Sequence, residues 1–427
     1  MSEQSPGERV EAFQAPTGTR DVLPPESARF AALIERFGTL ARRAGYGLVV
    51  SPLFEDPAVF RRSAGEESDI AKDEMYEFAD KGGRPLALRP EGTASVVRAF
   101  VQHRPVLPWK TWYVTPAFRY ERPQAGRYRQ HHQLGVEALG SEDADLDVEV
   151  IALGARYLGA VGLGNVALKI NSMGDGACMP AYREALIGYL ATNEARLCDG
   201  HRQRWKHNPL RVLDCKNAAC KAVTAQAPRL SAFWCKECRA HYDRVRTGLG
   251  ALGVGFCEDD FLVRGFDYYT RTTFEFAALS LDAAQNVVLG GGRYNGLVEQ
   301  LGGPHTPGIG FGSGIERVLL AADAEGALAD LGRGIDVFVV DVTDGSAARD
   351  LTEQLRAAGI GAERAFDQRS MKAQLKLADR SGARVAVIVG ADERARGVAM
   401  MRDLRGEDRN QTEVPLAELV EALRARR

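Results

Sequence analysis

At 427 residues, with 45% hydrophobic and 26% charged residues and a formal net charge of −2, the chain has an ordinary globular composition and room for two or three domains. The near-neutral balance excludes a global basic field, so any nucleic-acid contact must come from local patches. The polar first fourteen residues lack the apolar stretch of a signal peptide, no apolar run could span a bilayer, and seven unevenly placed cysteines do not resemble a secreted disulfide framework, so a cytoplasmic soluble protein is expected.

In chain order, Pro24-Pro25-Glu26 opens a helix, because proline is tolerated in a first turn. Phe30, Leu33, Ile34, Phe37, Leu40 and Ala41 then recur at helical spacing up to Gly45. Leu48-Val49-Val50, with Pro52 and Leu53, reads as a strand. From there to residue 170, strands and short helices mix without the alternation of a parallel α/β sheet, which predicts an antiparallel sheet with helices packed on it. Leu86-Ala87-Leu88 leads into Arg89-Pro90-Glu91-Gly92-Thr93. This segment is either a strand end offering Glu91 and Thr93 to an ammonium group, or a turn in which Thr93 caps a helix.

The stretch from Arg119 to Glu137, RYERPQAGRYRQHHQLGVE, lies between two runs of alternating apolar residues. Residues two apart share a strand face, so Tyr113, Thr115, Arg119 and Glu121 oppose Trp112, Val114, Phe118 and Tyr120. Beyond the tip, Gln133, Gly135 and Glu137 oppose Leu134 and Val136. The pattern predicts a β-hairpin with a polar inner face and a flexible basic tip. Arg119, Arg122, Arg127 and Arg129 suit phosphate oxygens or RNA, although a solvated edge hairpin would show the same alternation.

Residues 174–258 read as an inserted helical subdomain around Cys215-x4-Cys220-x14-Cys235-x2-Cys238. The last pair has metal-knuckle spacing, so one zinc tetrathiolate from Cys215, Cys220, Cys235 and Cys238 stands against free thiols in a helical insert. Sheet chemistry resumes at Asp259–Phe276 and Val287–Ala322. In LVRGFDYYT, Tyr268 and Tyr269 would face opposite sides of a strand, one serving a pocket and one anchoring structure. Gly290-Gly291-Gly292, ahead of Arg293-Tyr294, permits close backbone approach. Glycine at every second position from Gly308 to Gly314 leaves one strand face bare, and a flat ligand such as adenine could lie there. Arg317, in the first turn of the next helix, opposes the macrodipole, as a residue charged with holding phosphate would. The dinucleotide-binding fingerprint is missing. Residues 323–334 read as a linker. A separate small α/β domain follows, with strands Val337–Val340, Val385–Val389 and Gly397–Leu404 and helices Ala347–Ala358, Met371–Asp379 and Leu416–Arg426.

TGTRDVLPPE, LRPEGT, FRYERPQAGRYRQHHQLGVE, VRGFDYYT, GGGRYNGLV and GIGFGSGIERVLL together resemble, in order, the histidyl-tRNA synthetase family of class II aminoacyl-tRNA synthetases. The resemblance runs from Thr17 to the last domain. It implies an α+β fold: a six-stranded antiparallel class II catalytic domain over residues 1–325, a helical insertion contacting tRNA, and an α/β anticodon-binding domain over residues 335–427. It also implies a homodimer with the region around Pro52 at the interface. The implied activity is that of a histidine–tRNA ligase. The carboxylate of L-histidine attacks the α-phosphate of ATP, pyrophosphate leaves, and the histidyl group moves to the 3′ end of histidine tRNA.

The same resemblance assigns roles. Arg119 and Arg264 flank the α-phosphate, and Arg317 holds the γ-phosphate with Mg²⁺. Glu121 contacts adenine, His131 stacks on it, and Arg127 belongs to the ATP site. Glu91, Thr93 and Gln133 receive the ammonium group. Glu137 and Tyr269 bind the imidazole nitrogens, with Tyr268 and Tyr294 completing the pocket; a carboxylate plus a phenol can satisfy one donor and one acceptor. Gln124 and Arg129 read the extra 5′ guanosine of the tRNA. Three positions depart from the usual pattern: His131 for Phe, Phe266 for Leu and Arg271 for Gly. The alternative is the non-catalytic paralogue that regulates ATP phosphoribosyltransferase. Such chains usually lack the anticodon domain and phosphate-binding arginines, whereas residues 335–427 and Arg119, Arg264 and Arg317 are present here.

Overall fold

The helical spacing after Pro25 becomes α1 (Glu26–Arg43), whose buried stripe is Leu33, Phe37, Gly38 and Ala41. Gly38 is needed there because a Cβ would lie 2.7 Å from the Trp112 ring. The computed structural model describes residues 12–426, except 66, 67, 69, 207, 214, 216, 264, 267, 283, 284, 330–334 and 407–410. The chain divides into two compact units, residues 1–329 and 330–427. Among the described residues, no helix is long and apolar enough to cross a membrane.

In the first unit, α2 (Thr93–His103) precedes the predicted hairpin, formed by β1 (Trp109–Phe118) and β2 (Gln130–Leu139). Its strands pair antiparallel from Trp109 opposite Leu139 to Phe118 opposite Gln130. Four further long strands are β3 (Val166–Ser172), β4 (Thr270–Ala278), β5 (Val287–Arg293) and β6 (Gly308–Gly314). The sheet order is β1-β2-β6-β5-β4-β3, antiparallel throughout, with two-residue parallel strands added at the edges by Gly47–Leu48 and Cys257–Glu258. The expected six strands are therefore present, widened to eight by these short edges.

One face of this sheet is covered by α1, α3 (Ala144–Val161) and, further along the chain, the helices Lys236–Ala251 and Ile315–Glu325. The core between them holds Phe37, Trp112, Leu134, Val136, Tyr157, Phe274, Ile309, Phe311 and Val318. Strand periodicity then sends Gln133, Glu137, Gly310 and Gly312 to the opposite face, under α2. The insert contains α4 (Met179–Asn193) and several short helical turns around its own core, which includes Tyr182, Leu186, Trp205 and Val223, and ends in α5 (Lys236–Ala251), whose Tyr242, Val245 and Leu249 pack in the core of the sheet. The helix α6 (Ile315–Glu325) follows β6 directly.

The second unit is a five-stranded sheet in the order Ala362–Arg364, Val337–Asp341, Val385–Val389, Val398–Asp403, Gln411–Pro415. The first three strands are parallel and the last two antiparallel. Two strands escaped the sequence reading. Ala362–Arg364 is three residues long, and Gln411–Pro415 is an edge strand burying only Val414.

Candidate active site

Glu137 sits at the centre of the sheet face under α2 and is fully buried. Three hydroxyls donate to it: Thr93 Oγ1 at 2.7 Å, Tyr113 Oη at 3.3 Å, and Tyr294 Oη. Burial pushes its carboxyl up to about 8, and nearby Glu91 pushes the same way against the hydroxyls. Glu91 is buried as well, and burial raises its pKa. Its two oxygens accept from the backbone amides of Thr93, at 2.5 Å, and Ala94, at 2.8 Å. Glu91 thus caps α2 itself, where the helix dipole favours a negative charge, and Thr93 is freed to turn its hydroxyl to Glu137. Gln133 fixes the same turn by accepting from Gly92 N at 2.9 Å.

The alternating glycines serve this pocket in a different way from the expected bare face for adenine. A Cβ on Gly310 would lie 1.9 Å from Glu137 Oε2, one on Gly312 2.0 Å from Gln133 Nε2, and one on Gly308 2.3 Å from the Tyr294 ring. The missing side chains make room for the polar residues of neighbouring segments, and only Gly314 faces open space. Tyr113 is similarly wedged, against Gly92 and Gly135. Tyr268 and Tyr269 do not face opposite sides of a strand, because β4 starts after them at Thr270. Their rings lie 4.6 Å apart, with Tyr268 buried against Tyr294 and stacked on Phe266 at 5.1 Å.

Beside this pocket the arginines converge. Arg119 Nε donates to Pro90 O at 2.9 Å, and its guanidinium lies 6.0 Å over the Phe266 ring. Arg317, anchored to Val287 O at 3.1 Å, is held below the usual guanidinium range by burial and by the like charges of Arg127 and Arg119. Arg127 reaches Glu121 Oε2 at 3.3 Å and Arg119 reaches Oε1 at 3.8 Å, yet among the described residues the buried Oε2 accepts no hydrogen bond. Arg119 and Arg127 share the Glu121 carboxylate, and Arg317, which Glu121 and Glu275 both attract, lies close enough for the three cations to act on one another, a concentration of positive charge suited to a polyanion. His131 lies among them, and burial, Arg119 and Arg317 drive its pKa down to about 3. Its imidazole is therefore neutral at physiological pH, a flat ring suited to stacking. Arg264 lies outside the described residues.

The hairpin tip is folded, with Gln124 and Arg127 exchanging backbone hydrogen bonds. Gly126, at φ 70°, brings the tip against Leu320 and Arg317 of α6. Gln124 is exposed, while Arg129 stacks 3.9 Å over Tyr120 and donates its amide to Gly18 O. The Thr17–Asp21 segment thereby buttresses the tip.

Two positioning residues were not singled out from the sequence. Tyr113 was visible only as a member of the polar parity. Glu316 grips the backbone amide and ring of His132, at 3.0 and 2.8 Å, and so fixes the start of β2 beside His131. Arg293 of the triple-glycine motif is buried away from the pocket, pairing with Asp147, which also binds His241 Nε2 at 2.7 Å. Arg271 takes φ 50° and turns toward Glu142 and Asp175. A cavity of about 450 Å³ lined by Ala152, Leu158, Leu168 and Phe276 lies on the helix-covered face and gathers no comparable polar set.

The single four-cysteine site does not form. Cys215 and Cys220 group with Cys198 and His201, whereas Cys235 and Cys238 group with Asp175 and Cys178. Spacing along the chain showed the knuckles but not which knuckles meet.

A six-stranded antiparallel sheet, widened by two short edge strands, that carries a buried polar cluster and an arginine cluster on one face, with a separate anticodon-binding unit, defines a class II aminoacyl-tRNA synthetase. The histidyl-tRNA synthetase family model matches residues 18–187 and 189–318, and an anticodon-binding domain matches residues 336–426. The histidine–tRNA ligase of Moorella thermoacetica is 48% identical over 414 residues, covering 96% of this chain and 97% of its own. An apo S. aureus histidyl-tRNA synthetase crystal structure superposes with a TM-score of 0.79 at 36% identity, covering 96% of this chain and all of that one. A Bacillus halodurans ATP phosphoribosyltransferase regulatory subunit/histidyl-tRNA synthetase, 20% identical with a TM-score of 0.64, covers 90% of this chain and all of its own and shares the fold. The chain belongs to the histidyl-tRNA synthetase family, a family of ligases.

Proposed function

We propose that this chain activates L-histidine with ATP and passes the histidyl group to the 3′ end of histidine tRNA. The observation that carries the reading is Glu137, a buried carboxylate ringed by hydroxyls, beside the cluster that Arg119, Arg127 and Arg317 form around Glu121. Glu137 and Tyr269 receive the imidazole, with Tyr268 and Tyr294 as walls; Glu91, Thr93 and Gln133 receive the ammonium. A substrate without the imidazole's donor and acceptor would leave these buried groups unmatched, which is a strong basis for rejection. Tyr294 and Thr93 already hold Glu137, so the ammonium and imidazole subsites form one hydrogen-bonded unit.

ATP lies against the arginines. Glu121 accepts from the adenine amine through Oε2, which no described residue hydrogen-bonds, and neutral His131 stacks on the ring. Arg119, with Arg264, stabilises the charge growing on the α-phosphate, and Arg317 and Arg127 hold the outer phosphates. Mg²⁺ bound with those phosphates would offset their charge. Glu121 and Glu275 both act electrostatically on Arg317, so carboxylates are at hand for it. Gln124 and Arg129 meet the 5′ end of the tRNA from the hairpin tip, and residues 335–427 bind the anticodon.

A homodimer is supported by an exposed apolar strip around Pro52: Leu48, Val50, Leu53, Phe54 and Phe78. A cytoplasmic location suits an enzyme of this substrate set. The test is ATP–pyrophosphate exchange across the amino acids. Exchange should depend on histidine alone, and its absence with histidine would sink the reading in favour of the non-catalytic regulatory paralogue. Arg264→Ala should lower the exchange rate far more than ATP affinity, because its charge is needed most in the transition state.

A further inference from the structure

We propose that the helical insert holds two structural zinc ions in separate four-ligand cages. Cys198, His201, Cys215 and Cys220 form one within the insert; Asp175, Cys178, Cys235 and Cys238 form the other at its root. In each set, one ligand atom per residue lies within 4.8 Å of all the others. Bond lengths of about 2.3 Å to sulfur and 2.0 Å to nitrogen in a tetrahedron require S···S edges of about 3.8 Å and S···N edges of about 3.5 Å. The inner set has Cys198 and Cys215 sulfurs 4.0 Å apart, with His201 Nδ1 at 3.3 Å from Cys198 and 3.9 Å from Cys220. The root set has Asp175 Oδ1 at 3.4 Å from Cys178 and 4.0 Å from Cys235. A disulfide would need sulfurs about 2.05 Å apart, so these spacings fit a shared ion and not a bond.

Backbone geometry supports the same assignment independently. Amides point at the sulfurs as they do where thiolates ligate a metal: Cys198 N to Cys220 at 3.3 Å, Cys235 N to Cys178 at 3.2 Å, and Cys238 N to Cys235 at 3.4 Å. Each cage joins two short-spaced pairs from distant segments, namely Cys198-x2-His201 with Cys215-x4-Cys220, and Asp175-x2-Cys178 with Cys235-x2-Cys238. Cys235 also stands at the N-terminus of α5, where the dipole stabilises a thiolate. The root cage carries more negative charge than one Zn²⁺ neutralises, and Arg271 lies 3.6 Å from Asp175 to offset part of it. An insert built of short helical turns gains from such clips, since metal binding free energy becomes folding free energy. The root clip would also brace the strand that begins at Thr270, next to Tyr269.

The experiment is elemental analysis and native mass spectrometry of the full-length protein purified without chelator. Two zinc equivalents per chain are expected. Cys198→Ser with Cys220→Ser should leave one, and Cys178→Ser with Cys238→Ser should leave the other. Cobalt exchanged into each variant should show the ligand-field absorption of a tetrahedral thiolate site. One equivalent or none in the wild-type protein overturns the proposal, as does a disulfide mass in place of metal. Retention of a zinc that needs Cys215 and Cys235 together, but neither Cys178 nor Cys198, would restore the single tetrathiolate. The wild-type count decides even where a variant does not fold, and histidine-dependent exchange, measured separately, does not bear on it.

Discussion

Glu137 and His131 show how burial sets opposite protonation states within one site. Raised to about 8 by burial, Glu137 carries a proton at neutral pH before histidine binds. Histidine brings N–H donors that favour the carboxylate, so its pKa falls on binding and a proton leaves. Affinity for histidine should therefore rise severalfold between about pH 7 and 8, following the free-enzyme pKa, and level off above it. Titration calorimetry in two buffers would detect the proton release; a flat profile, or one unchanged in Glu137→Gln, contradicts the assignment. His131 behaves oppositely. With its pKa near 3 it stays neutral, so the KM for ATP should not bend through the ordinary histidine range. His131→Phe should change that KM by less than about threefold, as one neutral flat ring replaces another.

Among the elements, β6 and the join of β5 to α3 make separate predictions. Gly310→Ala puts a methyl 1.9 Å from Glu137 Oε2 and 2.4 Å from Val136 O, both on the adjacent strand β2. The KM for histidine should rise by at least an order of magnitude while ATP binding, served from the Gly314 end, suffers less. Equal losses for both substrates would show that the sheet as a whole had shifted. The buried Arg293–Asp147–His241 cluster links β5, α3 and α5 away from the reacting groups. Asp147→Ala strands a fully buried guanidinium, and should cost about 3–5 kcal/mol of stability in denaturant melts. A loss under about 1 kcal/mol would mean water reaches Arg293 after all.

Over the whole molecule, the exposed apolar strip and the local basic surface make the tests. Val50 is 85% exposed at the sheet edge beside Leu48, unusual for so apolar a neighbourhood unless a partner covers it. Val50→Asp with Phe54→Asp should convert a dimer to a monomer in sedimentation; a wild-type protein that is already monomeric refutes the interface. With a net charge of only −2, tRNA binding must rely on local arginines, and it should weaken steeply with salt. Binding that ignores salt would remove the hairpin tip from the tRNA contact.

The sequence by itself determined the hairpin, its polar parity, the helical insert and the two-part chain, because strand and helix periods are local and each side chain's face follows from its position. It also showed the knuckle spacings and, through several long motifs in one order, the family. Only the tertiary structure decided which segments meet. Glu91 became a helix cap because the chain turns directly into α2, and the glycines of β6 proved to be room for Glu137 and Gln133 from the next strand. Tyr268 and Tyr269 came together because β4 starts only at Thr270, after both of them, so their alternation never applies. The cysteines divided into two sets because α5 carries Cys235 and Cys238 back to the insert's root. Contacts between residues far apart in sequence depend on how elements pack, and no local period encodes that.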